Sequence, residues 1–151
     1  MLYGKLVEAV KYQQLFESGE RTSNATLFNG VASTSQTGYG IDTRDYDEVN
    51  IVINAGLFET SASLASSIYE CATDDPSSAT AVTSATFTAI TTANDEQLHI
   101  ASIRCMGTKR YLFLRTVQTG SSTSRYGAVS VLGKADAPPA SNSPVFDLNG
   151  D

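Results

Sequence analysis

Few residues of this chain have types that could do chemistry. They are His99, Cys71, Cys105 and the acidic run Asp42, Asp45, Asp47 and Glu48. His99 is the single histidine, and it lies between Leu98 and Ile100 in an alternating segment, where a structural, partly exposed side chain is expected. A catalytic triad needs a nucleophile beside the imidazole, and no Gly-x-Ser-x-Gly elbow is present. One histidine and two distant cysteines do not make a zinc site, which takes four ligands at close spacing. The four carboxylates fall within seven residues. Oxygen ligands in a turn suit calcium, but alternate-position ligands around a central Gly are absent, so a solvated, self-capping turn is the reading. No glycine-rich phosphate loop occurs. Paired carboxylates for glycoside hydrolysis have no specific support, and the absence of Trp weakens sugar stacking. The expectation is that the chain is not an enzyme and uses no cofactor and no metal. Cys71 and Cys105 are expected to be buried, reduced thiols.

The elements around these residues have a strand rhythm from Tyr39 onward. Tyr39 to Thr43 forms a short strand and a turn follows. Val49, Ile51, Ile53 and Ala55 then alternate with Asn50, Val52 and Asn54, the period-two pattern of a half-buried strand. Leu64 to Ala72 is the next strand, ended by the turn Asp74-Asp75-Pro76-Ser77-Ser78. Ser84 to Ile90, rich in Thr, reads as an edge strand. In the next strand Leu98, Ile100 and Ser102 alternate with His99, Ala101 and Ile103. Arg110 to Thr119 has apolar groups on both faces (Tyr111, Phe113 and Val117 against Leu112 and Leu114), which predicts a central strand covered on two sides. Arg125 to Gly133 is expected to pair with it as a hairpin across Gly120 to Ser124. Seven strands with regular turns predict an all-β, antiparallel sandwich or barrel.

The composition agrees. At 151 residues the chain is one domain, able to bury roughly 70% of its unfolded surface. Charged residues are 17% of it, against about 25% in an average protein. Ser and Thr, about a quarter of the chain, replace them, a palette that favours strands over helices. Net charge is −6 and the pI about 4.6, which repels phosphate backbones, so no nucleic-acid partner is expected. No run approaches the 18 or so apolar residues of a membrane helix, and the N-terminal residues lack the core and cleavage site of a signal peptide. No membrane partner is expected, and the chain is expected to be synthesised in a cytoplasm.

The ends differ from the middle. Residues 1–38 read as an N-terminal arm or peripheral segment, 39–134 as the sandwich domain and 135–151, with Pro138, Pro139 and Pro144, as an extended tail. Leu6, Val7, Val10, Leu15 and Phe16 fit a helical stripe ending at Gly19, and they fit an extended arm equally. A short strand is expected around Thr26 to Phe28. Leu2, Tyr3, Leu6, Val7, Val10, Leu15 and Phe16 are the candidate partner-binding residues, because so much apolar surface must be covered by the sandwich, a sister subunit or another protein.

Two stretches carry a resemblance: Gly40-Ile41-Asp42-Thr43-Arg44-Asp45-Tyr46-Asp47-Glu48-Val49-Asn50-Ile51-Val52-Ile53-Asn54-Ala55-Gly56, and Gly107-Thr108-Lys109-Arg110-Tyr111-Leu112-Phe113-Leu114-Arg115 with the later Tyr126-Gly127-Ala128-Val129-Ser130-Val131-Leu132-Gly133. Over roughly residues 39 to 134 the chain resembles the decoration (cement) proteins of tailed-bacteriophage capsids. The shared pattern is a strand ending in Asp-Thr, a Tyr-bearing turn, an apolar strand ending in Gly, and a late hairpin of Arg-Tyr-aromatic-Leu character. The resemblance implies a jelly-roll-like sandwich on the outside of an icosahedral shell, bound to the lattice of major capsid proteins, commonly as a homotrimer. It implies a virion location on the capsid exterior and no catalytic residues. A tail- or fibre-associated β-domain and a carbohydrate-binding sandwich module are the alternative readings.

Overall fold

The computed structural model describes residues 10–22, 24–32, 37–105 and 107–133. They form β1 (Val10–Arg21), β2 (Ala25–Phe28), β3 (Ile41–Asp42), β4 (Glu48–Phe58), β5 (Ser63–Cys71), a 3-10 turn (Pro76–Ser78), β6 (Thr80–Thr86), β7 (Leu98–Arg104), β8 (Tyr111–Thr119) and β9 (Ser124–Gly133). The front sheet has the order β1-β9-β4-β7, and the back sheet the order β2-β8-β5-β6, with β3 also paired to β8. Every pairing between named strands is antiparallel. This is the all-β, antiparallel sandwich that the strand rhythm predicts.

The alternation in β4 does what period two requires. Val49, Ile51, Ile53 and Ala55 are buried between the sheets, where they meet Leu64 and Ile68 of β5 and Leu112 and Leu114 of β8 in one core. The strand at 110–119 is central to its sheet, as predicted, and Phe113 on its outer side is fully buried too. One side chain completes its ladder. β2 pairs with residues 115–118 of β8 and β3 with 111–112. Asn29, at φ 45°, bridges the gap: its Oδ1 accepts the Leu114 N–H at 2.8 Å and its Nδ2 donates to the Tyr39 carbonyl at 2.7 Å.

The structure departs from several expectations. β8 and β9 are not a hairpin, because they belong to different sheets. Gly120 turns the corner at φ 97°, with the Ser61 and Ala62 backbone where a Cβ would stand, and only Gly takes that conformation in that space. The β4–β5 connection crosses beside it, tied by Glu59 N–H to the Thr123 carbonyl at 2.9 Å. The strand expected at 84–90 is β6, shifted to 80–86, and Ser84 at φ 63° sits in a bulge inside it, where the register with β5 slips. Leu64 and Ile90 still exchange both backbone hydrogen bonds at 2.9 Å. Residues 10–28, within the segment read as an N-terminal arm or peripheral segment, supply β1 and β2 to the two sheets. The stripe that included Leu15 and Phe16 is a bulged strand: the register slips between Gln14 and Phe16, and that extra residue lets adjacent side chains both turn inward. Finally, Cys71 is buried but Cys105 is only partly so.

Candidate interaction face

Of the expected partner-binding residues, Leu15 and Phe16 are buried in the sandwich core and Val10 is half-buried at the start of β1. The sandwich itself covers these two. Leu2, Tyr3, Leu6 and Val7 lie outside the described residues.

The groups that could do chemistry are dispersed. His99 is half-buried and its Nε2 lies 2.9 Å from the Asn94 carbonyl. Asp42 takes a two-pronged pair with Arg110, at 3.0 and 2.8 Å, which fixes β3 to the start of β8. Among the described residues no three His, Cys, Asp or Glu side chains converge as a metal site would. Cys71 and Cys105 are both free. Burial pushes the Cys105 thiol up, to about 11, helped by Asp47 and Glu48. Burial also raises Cys71, but hydrogen bonds with the Ser78 and Thr73 hydroxyls and with the Thr73 and Ala72 backbone outweigh it, so this thiol sits below its ordinary value.

A different feature stands out. Directly paired residues of adjacent antiparallel strands share a face, so the register defines the outer side of the front sheet row by row. One row runs Tyr12, Val131, Asn50, Ser102, and the next Gln14, Val129, Val52, Ile100. A third carries Gly127, Asn54 and Leu98. None of these side chains is charged. Tyr12 is 59% exposed, Ile100 58% and Leu98 50%, and Val52, Val129 and Val131 are half-buried between them. The exposed apolar area is roughly 400 Å², within the ~300–600 Å² of the largest patch on a monomer, a size that often marks function. Charge sits at the margins. Glu48 faces Arg104 across one end, and Glu20 pairs with Arg125 at 2.9 Å at the other. That second pair borders an open depression of about 390 Å³ with Ser18 and Asn54. Both partners of the pair are more than half exposed, so it contributes little to stability.

Sequence reasoning did not find this face. The signal was present: Val52 between Asn50 and Asn54, and Leu98 and Ile100 opposite Ala101 and Ile103, put apolar groups on both sides of strands. Which side the sandwich covers is decided by the second sheet, and no local pattern reports that.

The fold is an antiparallel β-sandwich whose front sheet presents an uncharged outer face, with Tyr12, Leu98 and Ile100 exposed among Gln14, Asn50, Asn54 and Ser102. No family model matches the chain, and no curated protein sequence matches it. Solved structures do. The VP2 subviral particle of infectious bursal disease virus aligns with a TM-score of 0.52 at 15% identity, covering 85% of this chain and 34% of that one. The structure of the Gx strain of the same virus gives 0.49 at 16% identity, covering 86% and 34%. The xylanase 10B of Clostridium thermocellum, complexed with xylohexaose, gives 0.41 at 10% identity, covering 89% and 28%. The chain spans about a third of the length of the viral chains. At this identity the likeness is one of fold.

Proposed function

We propose that this chain is a non-enzymatic structural protein of a virus particle, and specifically a decoration or cement protein that binds the outer surface of an assembled phage capsid and stabilises it. The observation that carries the reading is the uncharged outer face of the front sheet, where Tyr12, Leu98 and Ile100 are exposed and the described residues leave room for a partner. The resemblance across residues 39 to 134 supports it, and the β-sandwich shared with a viral VP2 is compatible with it. The partner is the lattice of major capsid proteins, and the working form is a homo-oligomer, a trimer, on the capsid exterior after synthesis in the host cytoplasm. A protein that binds only the assembled lattice stabilises it by mass action, and joining several contacts in one oligomer adds avidity.

The test is co-sedimentation of the full chain with capsids stripped of their decoration protein. Saturable binding, with shells that survive heating better than bare ones, is expected. A chain that stays in the supernatant at every concentration overturns the reading.

A further inference from the structure

We infer that β7 is the docking strand for a second copy of this chain, paired antiparallel with its own counterpart across a twofold axis at Ala101. The inference goes beyond the capsid reading and stands without it.

The first observation is where the backbone of β7 points. The strand ends the order of the front sheet, and among the described residues it pairs only with β4. Cys105 N–H donates to the Asp47 carbonyl at 2.8 Å, and Ala55 N–H to the Gln97 carbonyl at 3.1 Å. Along an antiparallel strand the bonded side alternates residue by residue. His99, Ala101 and Ile103 therefore bond to β4, and Leu98, Ile100, Ser102 and Arg104 turn their N–H and C=O groups outward. All four are exposed.

The second observation is how β7 differs from the other lateral strands. Open edges invite pairing, and bulges, charge, proline or shortness blunt them. β1 slips register twice against β9 and carries Lys11, Glu17, Glu20 and Arg21. β2 has four residues. β6 slips against β5 and holds Ser84 at φ 63°. β7 runs seven residues in unbroken register with β4, and from Leu98 to Ile103 it contains no Asp, Glu, Lys, Arg or Pro.

The third observation is that β7 complements itself. Across an axis at Ala101, Leu98 faces the partner's Arg104 and Ile100 faces the partner's Ser102. With their symmetry mates these make four pairs that each exchange two backbone bonds, about eight in all. On the inner side Ala101 meets the partner's Ala101, and His99 the partner's Ile103. Such unbonded pairs bring Cα atoms within about 4.5 Å, which suits a methyl group at the axis. On the outer side each Ile100 lies diagonal to the partner's Ile100, within contact reach, so the two uncharged faces become one. Arg104 reaches the end of the partner's strand, where Glu96 is exposed. A twofold contact of this kind makes a dimer of single chains and joins any trimers in pairs.

The experiment is sedimentation equilibrium of the full chain beside Ile100→Pro. Residue 100 turns its N–H away from β4, so a free edge accommodates proline there, whereas a paired strand loses a bond and meets the ring. At the highest concentration the wild type is expected at twice the mass of the variant. Equal masses overturn the inference. If Ile100→Pro loses its strand circular dichroism, Ala101→Cys decides. Under mild oxidation it is expected to give a covalent dimer bridged at position 101 of both copies, because the facing Cα atoms fall within disulfide range. No such bridge overturns the inference. Amide exchange at Ile100 and Ser102 identifies the other possible cover. Protection is expected to rise with protein concentration. Protection that is independent of concentration places another part of the same chain on the edge, and overturns the inference as well.

Discussion

Phe113 and Ile100 both project from the outside of a sheet, yet Phe113 is fully buried and Ile100 is 58% exposed. The back sheet covers its outer apolar groups with its own loops. Phe113, Phe28 and Cys71 form a second, smaller core with Tyr69, Tyr111 and Ala79 packed against it, and Phe28 meets the Tyr69 ring edge-on at 5.7 Å. The segment after β5 closes over this cluster, held by carboxylates that accept backbone N–H groups. Asp74 accepts from Gly38 and Gly40, at 2.9 and 2.7 Å, and Asp75 from Ser77 at 2.9 Å. The front sheet has no such cover among the described residues. The sequence patterns of the two sheets look alike, so the difference lies in connections: among the described residues the loops cross to one side of the sandwich only. An apolar residue facing outward is part of a core where a loop reaches it, and stays open to solvent where none does.

The largest test of this contrast is Phe113→Ala. If the cluster is a true core, the substitution costs about 3–5 kcal/mol, seen as a lowered urea midpoint at unchanged slope. A loss under 1 kcal/mol would place Phe113 with the surface residues. Next is Asp74→Ala, which strips two N–H donors of a strong acceptor. A loss of about 1–3 kcal/mol is expected, with faster amide exchange at Gly40.

The two thiols sharpen the comparison through pH. Cys105, on the front-sheet side, has its folded value raised from 9.0 to about 11. Its contribution is fully present below pH 9 and lost as pH rises from 9 toward 11. Cys71, in the back-sheet cluster, is shifted down, so its contribution is present above pH 9 and fades as pH falls through the folded value. Urea midpoints of Cys105→Ser should therefore decline less than wild type between pH 9 and 11, whereas Cys71→Ser should lose ground to wild type as pH rises toward 9 and run parallel to it above. Identical profiles would erase the distinction. The smallest stability effect belongs to Ile100→Lys, within about 1 kcal/mol of wild type, because an edge strand tolerates a lysine.

Much of the sandwich is legible in the residues. Val49, Ile51, Ile53 and Ala55 announce a buried face, and Arg110 to Thr119 announces a strand covered twice. The bounds of β7, β8 and β9 follow from their alternation to within a residue or so. What escapes is whatever depends on partners far along the chain. The corner at Gly120 looks like a hairpin loop, because a small, polar, glycine-containing stretch serves either geometry. Leu15 and Phe16 fit a helix and an extended arm equally, because a bulge puts two neighbours on one side of a strand and blurs its period. The interaction face escapes for the same reason: Leu98 and Ile100 are no less apolar than Ala101 and Ile103, and only the position of the back sheet tells which pair is covered.

The central proposal is that the front face, left open among the described residues, joins this chain to another molecule of its own kind. Sedimentation velocity of the full-length wild type beside Ile100→Lys, across a hundredfold range of concentration, tests it most directly. The wild type should sediment as an oligomer, and the variant as a folded monomer with a nearly unchanged urea midpoint. A variant that sediments like wild type throughout that range, or a wild type that stays monomeric at the highest concentration, would contradict the account.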